Sequence, residues 1–163
     1  MNLTHEVDRC RPARRSTQQV SPRRVLVADE DDDARERVIT AFLEDGHDVV
    51  GLRNGAELLE CLDIIARDSL RTPDLIAMGA GTPRRSALQL LETLRSDGWT
   101  MPVVLLTWSG SSNVRTRVEM ASPAAMITKP FDVAELRRAT LDALAMAESS
   151  REPRRPVTHV TVG

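Results

Sequence analysis

A short apolar run that leads directly into five acids, at residues 24–33, constrains this chain more than any other stretch. Residues 25–28 read Val-Leu-Val-Ala, and an uninterrupted run of this length is typical of a strand buried on both faces in a parallel sheet. The carboxyl end of such a strand would bring Asp29 and Glu30 to the sheet edge where open α/β folds place their sites. Acids that meet there repel each other unless a cation lies among them. The alternative, in which the acids only favour the N-terminus of the next helix, applies above all to residues 31–33.

Four further apolar runs suited to strands follow, and a segment with helical periodicity comes after each strand. Strands are predicted at residues 24–28, 48–52, 74–78, 103–106 and 124–128, with helices beginning after residues 31, 55, 85, 110 and 131. Alternating strands and helices predict parallel βαβ units with right-handed crossovers and helices on both sheet faces. We therefore predict an α/β fold of the flavodoxin-like (βα)5 type, a doubly wound parallel sheet with strand order 2-1-3-4-5.

Apolar side chains at helical spacing predict which face of each helix packs on the sheet. The first helix carries Phe42 and Leu43 in such a stripe, and the fifth carries Leu141. The fourth helix is polar and has little to bury beyond two valines and Met120. We expect Phe42, Leu43, Leu141, Met120 and the two valines to be covered.

The 163 residues suffice for one domain with a hydrophobic core, and their charges are unevenly distributed. Residues 1–24 carry six arginines against two acids, whereas residues 25–147 carry 13 basic and 20 acidic side chains. This acidic central region argues against nucleic acid as a ligand. We predict a disordered basic tail at residues 1–22, a domain at residues 23–147 and a C-terminal tail at residues 148–163.

The two cysteines, Cys10 and Cys61, have no metal-binding spacing and form no disulfide framework, which is typical of a reducing cytoplasm. No stretch has the length of a membrane span, and the N-terminus lacks the apolar segment of an export signal. We therefore expect a cytoplasmic protein with no membrane partner.

Several residues that are weak signals separately occur together in the order and spacing of a known family. Asp29 and Glu30 follow the first strand, Thr107 ends the fourth, and Lys129 begins a Lys-Pro-Phe sequence after the fifth. Residues 73–91 fit the third strand and third helix without a gap. On these residues, about three quarters of the chain resembles the receiver domain of two-component response regulators, the CheY-like superfamily. The resemblance implies that the acid pair holds Mg²⁺, that an aspartate ending the third strand accepts a phosphoryl group, and that the threonine and lysine contact its oxygens.

Three positions depart from that family's pattern, and together they predict a degenerate pseudoreceiver. Gly79 stands where the resemblance implies the phosphoacceptor, and glycine offers neither a nucleophile nor a metal-binding side chain. Trp108 replaces the small residue that follows the threonine, and its ring either covers the mouth of the pocket or packs on the fourth helix. Met126 replaces the aromatic switch residue of the fifth strand. The phosphoacceptor, the path for the phosphodonor and the switch residue are thus all altered.

The retained residues predict a structural contact at the former active site, in which Lys129 bridges to Asp29 or Glu30. We expect Mg²⁺ binding by these two acids to be weak or absent because one carboxylate ligand is missing, and no other cofactor is implied. The backbone around Gly79 and Gly81 suggests either a small cradle for an anion or only a flexible loop.

These features favour an atypical, stand-alone receiver-like module that acts through phosphorylation-independent protein–protein contacts and is not an enzyme. The resemblance implies a sensor kinase, another receiver or an effector as the partner, bound through the fourth helix, fifth strand and fifth helix. A homodimer through the same face is a further expectation. Two alternatives stay open: a small-molecule sensor that uses the altered pocket at residues 79–82, and a receiver phosphorylated at a non-standard residue such as Thr82, Ser86 or one of the acids.

Overall fold

Parallel strands form a single sheet in the computed structural model, which describes residues 22–79, 86–108 and 111–151. In chain order the elements are β1 (Arg24–Ala28), α1 (Asp32–Glu44), β2 (Asp48–Leu52), α2 (Gly55–Arg67), β3 (Leu75–Gly79), α3 (Ala87–Ser96), β4 (Val103–Thr107), α4 (Ser112–Met120), β5 (Ala124–Thr128) and α5 (Val133–Arg151). The strand order is β2-β1-β3-β4-β5, and each neighbouring pair is parallel. The predicted flavodoxin-like α/β fold is therefore confirmed.

The register of the strands brings their carboxyl ends to one edge of the sheet. Ala28 pairs with Leu52 on one side and with Met78 on the other, and Thr107 pairs with Thr128. Because the strands all run in the same direction, the residues that follow them lie along that edge, where this class of fold binds its ligands.

Buried side chains form one cluster on each face of the sheet. Leu58 of α2, Leu91 of α3 and Val118 of α4 belong to the cluster on one face. Phe42 of α1 and Leu136 of α5 belong to the cluster on the other. The sheet is thus covered on both faces, which explains why the apolar run of β1 has no polar interruption.

The acids at residues 31–33 serve the N-terminus of α1, as the helix interpretation predicted. The Asp31 side chain caps the helix by accepting hydrogen bonds from the backbone N–H groups of Asp33 and Ala34. Asp32 and Asp33 lie in the first turn, where negative charge is favourable.

Three of the side chains predicted to be covered are exposed instead. Met120 is 82% exposed, and Leu43 and Leu141 are each about half exposed. Met120 lies two residues beyond buried Val118, about 200° around the helix, and Leu141 lies five residues beyond buried Leu136, about 140° around it. These apolar residues therefore fall outside the stripe that packs on the sheet.

Helix α5 extends past residue 147, where the domain is predicted to end. Helix α5 continues to Arg151, so the C-terminal tail predicted to begin at residue 148 is helical at its start. Residues 1–21, residues 152–163 and Gly81 lie outside the described residues. Within the described ranges, no helix is both long and apolar enough to cross a membrane.

We expect the stability of the fold to decrease below pH 6.5 because of His47. The imidazole is buried, burial lowers its pKa below the ordinary value of 6.5, and Nδ1 accepts a hydrogen bond from the backbone N–H of Arg23 at 3.1 Å. The unfolded chain therefore binds the proton first as the pH falls, so this contribution is constant above pH 6.5 and is lost below it. The slope of this loss cannot exceed about 1.4 kcal/mol per pH unit.

Urea unfolding at a series of pH values tests this role of His47. The His47→Asn variant, which keeps an acceptor but does not titrate, should lack this component, and an unchanged pH profile in that variant would contradict the assignment.

Candidate functional site

The site residues lie along the carboxyl edge of the sheet, each placed by the end of a strand. Asp29 follows β1, Gly79 ends β3, Thr107 ends β4 and Lys129 follows β5. The backbone N–H of Lys129 donates a hydrogen bond to the carbonyl oxygen of Thr107 at 2.7 Å, which fixes the start of the β5–α5 connection.

A buried ion pair joins the two ends of this arrangement. Lys129 Nζ lies 2.6 Å from Asp29 Oδ2, and the two side chains are 3% and 0% exposed. The other carboxylate oxygen of Asp29 accepts a hydrogen bond from the backbone N–H of Asp31 at 3.0 Å. The predicted bridge from Lys129 is therefore formed, with Asp29 as its partner, whereas Glu30 is exposed.

Gly79 is in direct contact with this ion pair. A Cβ atom at residue 79 would lie 1.9 Å from Asp29 Oδ2 and 2.5 Å from its Cγ, far inside van der Waals contact. The Asp29 carboxylate therefore occupies the space that any other side chain at residue 79 would fill. The ion pair in its present geometry requires glycine at this position.

Arg35 supports the site, and the sequence interpretation missed it. One guanidinium nitrogen donates to the carbonyl oxygen of Asp29 at 2.8 Å, and another lies 2.6 Å from Asp32 Oδ1. The spacing of Asp32 and Arg35, three residues apart on a helix, indicates an ion pair between them. The hydrogen bond to the Asp29 carbonyl, however, depends on how the chain turns between β1 and α1.

Trp108 lies on the Lys129 side of the end of β4. The centroid of its ring is 5.6 Å from Lys129 Nζ, and the side chain is 64% exposed. The structure therefore has the Trp108 ring beside the ion pair. The third departure, Met126, is half-buried and packs against the cluster formed with α2, α3 and α4.

The residues present do not fit a Mg²⁺ site. Asp29 is already bonded through both oxygens, Glu30 is exposed, and Gly79 supplies no ligand. Among the described residues, no group of three or more histidine, cysteine or acidic side chains is arranged to hold a metal ion. Since a hard cation needs several oxygen ligands, it would have to displace the Lys129 ammonium.

Two open depressions flank the ion pair. The first, named here the α1–α5 groove, has a volume of about 680 Å³ and a floor that includes Ala34, Ala41 and Phe131, with Trp108 and Val133 also exposed to it. Its rim carries Asp31, Asp33, Glu36 and Glu44 together with Arg37. The second, named here the α2–α3 cleft, has a volume of about 600 Å³ and includes Gly79, Glu30 and Ser86.

The chain is similar to known proteins over most of its length. Residues 25–141 match the model of the response regulator receiver domain. The response regulator MprA of Mycolicibacterium vanbaalenii is 32% identical over 115 residues, which are 71% of this chain and 47% of that protein. The transcriptional regulatory protein PdtaR of Mycobacterium tuberculosis is 29% identical over 116 residues, which are 71% of this chain and 53% of that protein. The chain thus spans about half the length of these relatives.

Solved structures agree with the fold. The receiver domain of the Francisella response regulator 1452 has a TM-score of 0.61 at 27% identity, with 74% of this chain and 96% of that chain covered. The chemotaxis response regulator CheY4 of Vibrio cholerae has a TM-score of 0.61 at 20% identity, with 76% and 100% covered. The second likeness concerns the fold alone.

Proposed function

The chain belongs to the response regulator receiver family, and from that premise we propose that it is a degenerate receiver that signals through protein contacts without aspartyl phosphorylation. Receiver domains are signalling modules of two-component systems. The observation that carries the proposal is the buried ion pair between Lys129 and Asp29, formed directly against Gly79.

Charge balance supports this proposal. Phosphoryl transfer to a carboxylate requires an in-line nucleophile and a cation that neutralises the transferred group. Here the third strand ends in Gly79, and the buried carboxylate of Asp29 beside it is neutralised by the buried ammonium of Lys129. The buried charges at the site therefore balance without a phosphoryl group or Mg²⁺. We infer that the domain keeps one state where a phosphorylated receiver alternates between two.

A fixed state leaves binding as the mode of signalling. We propose that the face formed by α4, β5 and α5 contacts a sensor kinase, another receiver, an effector or a second copy of the chain in the cytoplasm. Exposed Met120 and Met146 offer apolar, adaptable contact area on these helices. No catalytic role is part of this proposal.

We expect no added phosphoryl mass when the purified chain is incubated with acetyl phosphate and Mg²⁺ and its intact mass is measured. The physical reason is that Gly79 offers no nucleophile and Asp29 Oδ2 is held by Lys129 at 2.6 Å. A receiver with an aspartate at the end of β3, treated in parallel, must gain the adduct. A stoichiometric, hydroxylamine-labile adduct on this chain would show that another carboxylate accepts the phosphoryl group and would overturn the proposal.

A second candidate function, sensing of a small molecule, is favoured by the α2–α3 cleft. Its volume of about 600 Å³ is in the range of small-molecule sites, and it reaches Gly79 beside the ion pair. A ligand that copurifies with the chain in native mass spectrometry would favour this function. Phosphorylation at a non-standard residue is a weaker candidate than ligand sensing. The Ser86 side chain already caps the N-terminus of α3, and Thr82 lies outside the described residues.

A further inference from the structure

The α1–α5 groove combines an apolar floor with unpaired acids. Buried Phe131 and the exposed Trp108 ring supply its apolar surface, while Asp33 and Glu36 lie at its rim. Neither of these two carboxylates forms an ion pair with another residue in the described part of the chain. Two cationic residues also line the groove. Arg37 is exposed, whereas Lys129 is buried and its charge is neutralised by Asp29. The groove therefore suits a cationic segment that also has flat or apolar surface.

Arginine fits this surface better than any other side chain. Its planar guanidinium stacks on an indole ring and also binds carboxylates in a bidentate way. Trp108, at 64% exposure, lines the same groove as the acidic rim. An arginine-rich segment could thus stack on the Trp108 ring and pair with the acids at the same time.

We propose that the α1–α5 groove binds the arginine-rich segment at residues 9–15 of the same chain. This segment reads Arg-Cys-Arg-Pro-Ala-Arg-Arg and contains no acid. It is complementary in charge to the rim, where acids outnumber arginine.

The path of the chain favours this occupant over a separate molecule. The backbone N–H of Arg23 donates to His47 just after α1, and its guanidinium lies 3.6 Å from Glu148 of α5. The chain therefore enters β1 from the side of the sheet that α1 and α5 cover. Glu148 and Val133 are 15 residues apart on α5, which is about 22 Å along the helix. The seven residues from residue 15 to residue 22 are enough chain to reach about 23 Å.

Tethering makes even a weak contact effective. A tether of a few residues gives an effective concentration on the order of millimolar, and the contact is screened by salt. The segment would then compete with any basic partner for the acidic N-terminal half of α1. We infer an autoinhibitory contact that is separate from the ion pair at Gly79.

The test uses the full chain with Trp99→Phe, so that Trp108 is the only tryptophan, and measures quenching of its fluorescence by acrylamide. We expect the quenching constant to rise about twofold when Arg9, Arg11, Arg14 and Arg15 are all replaced by glutamine, and about equally in the parent chain at about 0.5 M NaCl. The matched control replaces Arg154 and Arg155 of the other tail with glutamine and should leave quenching unchanged. Equal quenching of the parent and the fourfold variant would overturn the proposal.

A charge exchange separates docking from misfolding. Asp33→Arg with Glu36→Arg should increase quenching, and adding Arg14→Glu with Arg15→Glu should restore the protection. Failure of this restoration in a variant with unchanged circular dichroism would overturn the proposal. Protection that disappears on dilution from about 100 to about 1 μM would also overturn it, because the occupant would then be the segment of a second copy.

Discussion

Replacing Lys129 with methionine should lower the free energy of unfolding by about 3–5 kcal/mol, because removal of one partner leaves an uncompensated buried charge. The Asp29 side chain is 0% exposed, and Lys129 is its one cationic partner among the described residues. Methionine keeps the length and the apolar stem of the lysine, so the change removes charge more than volume. Urea unfolding followed by circular dichroism at neutral pH measures the loss.

Two further variants show whether burial is the cause. Arg137→Met breaks an ion pair of similar length, 2.9 Å to Asp45, but on the surface, where such pairs contribute about 0–1 kcal/mol. Combining Lys129→Met with Asp29→Asn removes both charges and should recover a large part of the stability. A Lys129→Met variant as stable as Arg137→Met would show that the buried pair does not hold this edge of the sheet together.

The arrangement of the strands could be predicted because it depends on local patterns and on one rule of topology. The apolar run at residues 25–28 indicates a strand that is covered on both faces, and alternation with helices indicates parallel pairing. Once the strands are parallel, residues at their carboxyl ends must meet. The convergence of Asp29, Gly79 and Lys129 therefore follows from the order of the elements.

The geometry within that edge could not be predicted, because it depends on the directions of side chains on neighbouring strands. The sequence indicates that Gly79 lacks a nucleophile, but not that the Asp29 carboxylate lies 1.9 Å from its missing Cβ. The exposure of Met120 and Leu141 was mispredicted for a related reason. An apolar residue near a stripe is covered only when its angle around the helix faces the sheet, and both angles fall outside it.

Replacing Gly79 with aspartate should destabilise the fold without Mg²⁺ and make its stability depend on Mg²⁺. The new Cβ displaces the Asp29 carboxylate, and a second acid is then placed where Lys129 can neutralise only one. Leaving a buried charge without a partner costs about 3–5 kcal/mol. With the second acid present, the site has two carboxylates at the edge and exposed Glu30 nearby, which is a donor set that suits a hard cation.

Gly79→Ala separates the steric effect from the charge. Alanine brings the same Cβ clash, for which overpacking costs about 1–3 kcal/mol, but it adds no charge and no ligand. Mg²⁺ at ten times its dissociation constant should restore about 1.4 kcal/mol to Gly79→Asp and nothing to Gly79→Ala or the parent chain. Equal stabilisation of the parent by Mg²⁺ would mean that Asp29 and Glu30 hold the metal without a β3 carboxylate. Mg²⁺ would then displace Lys129 from Asp29 even in the parent chain. The absence of a carboxylate at residue 79 would therefore not be enough to prevent Mg²⁺ binding.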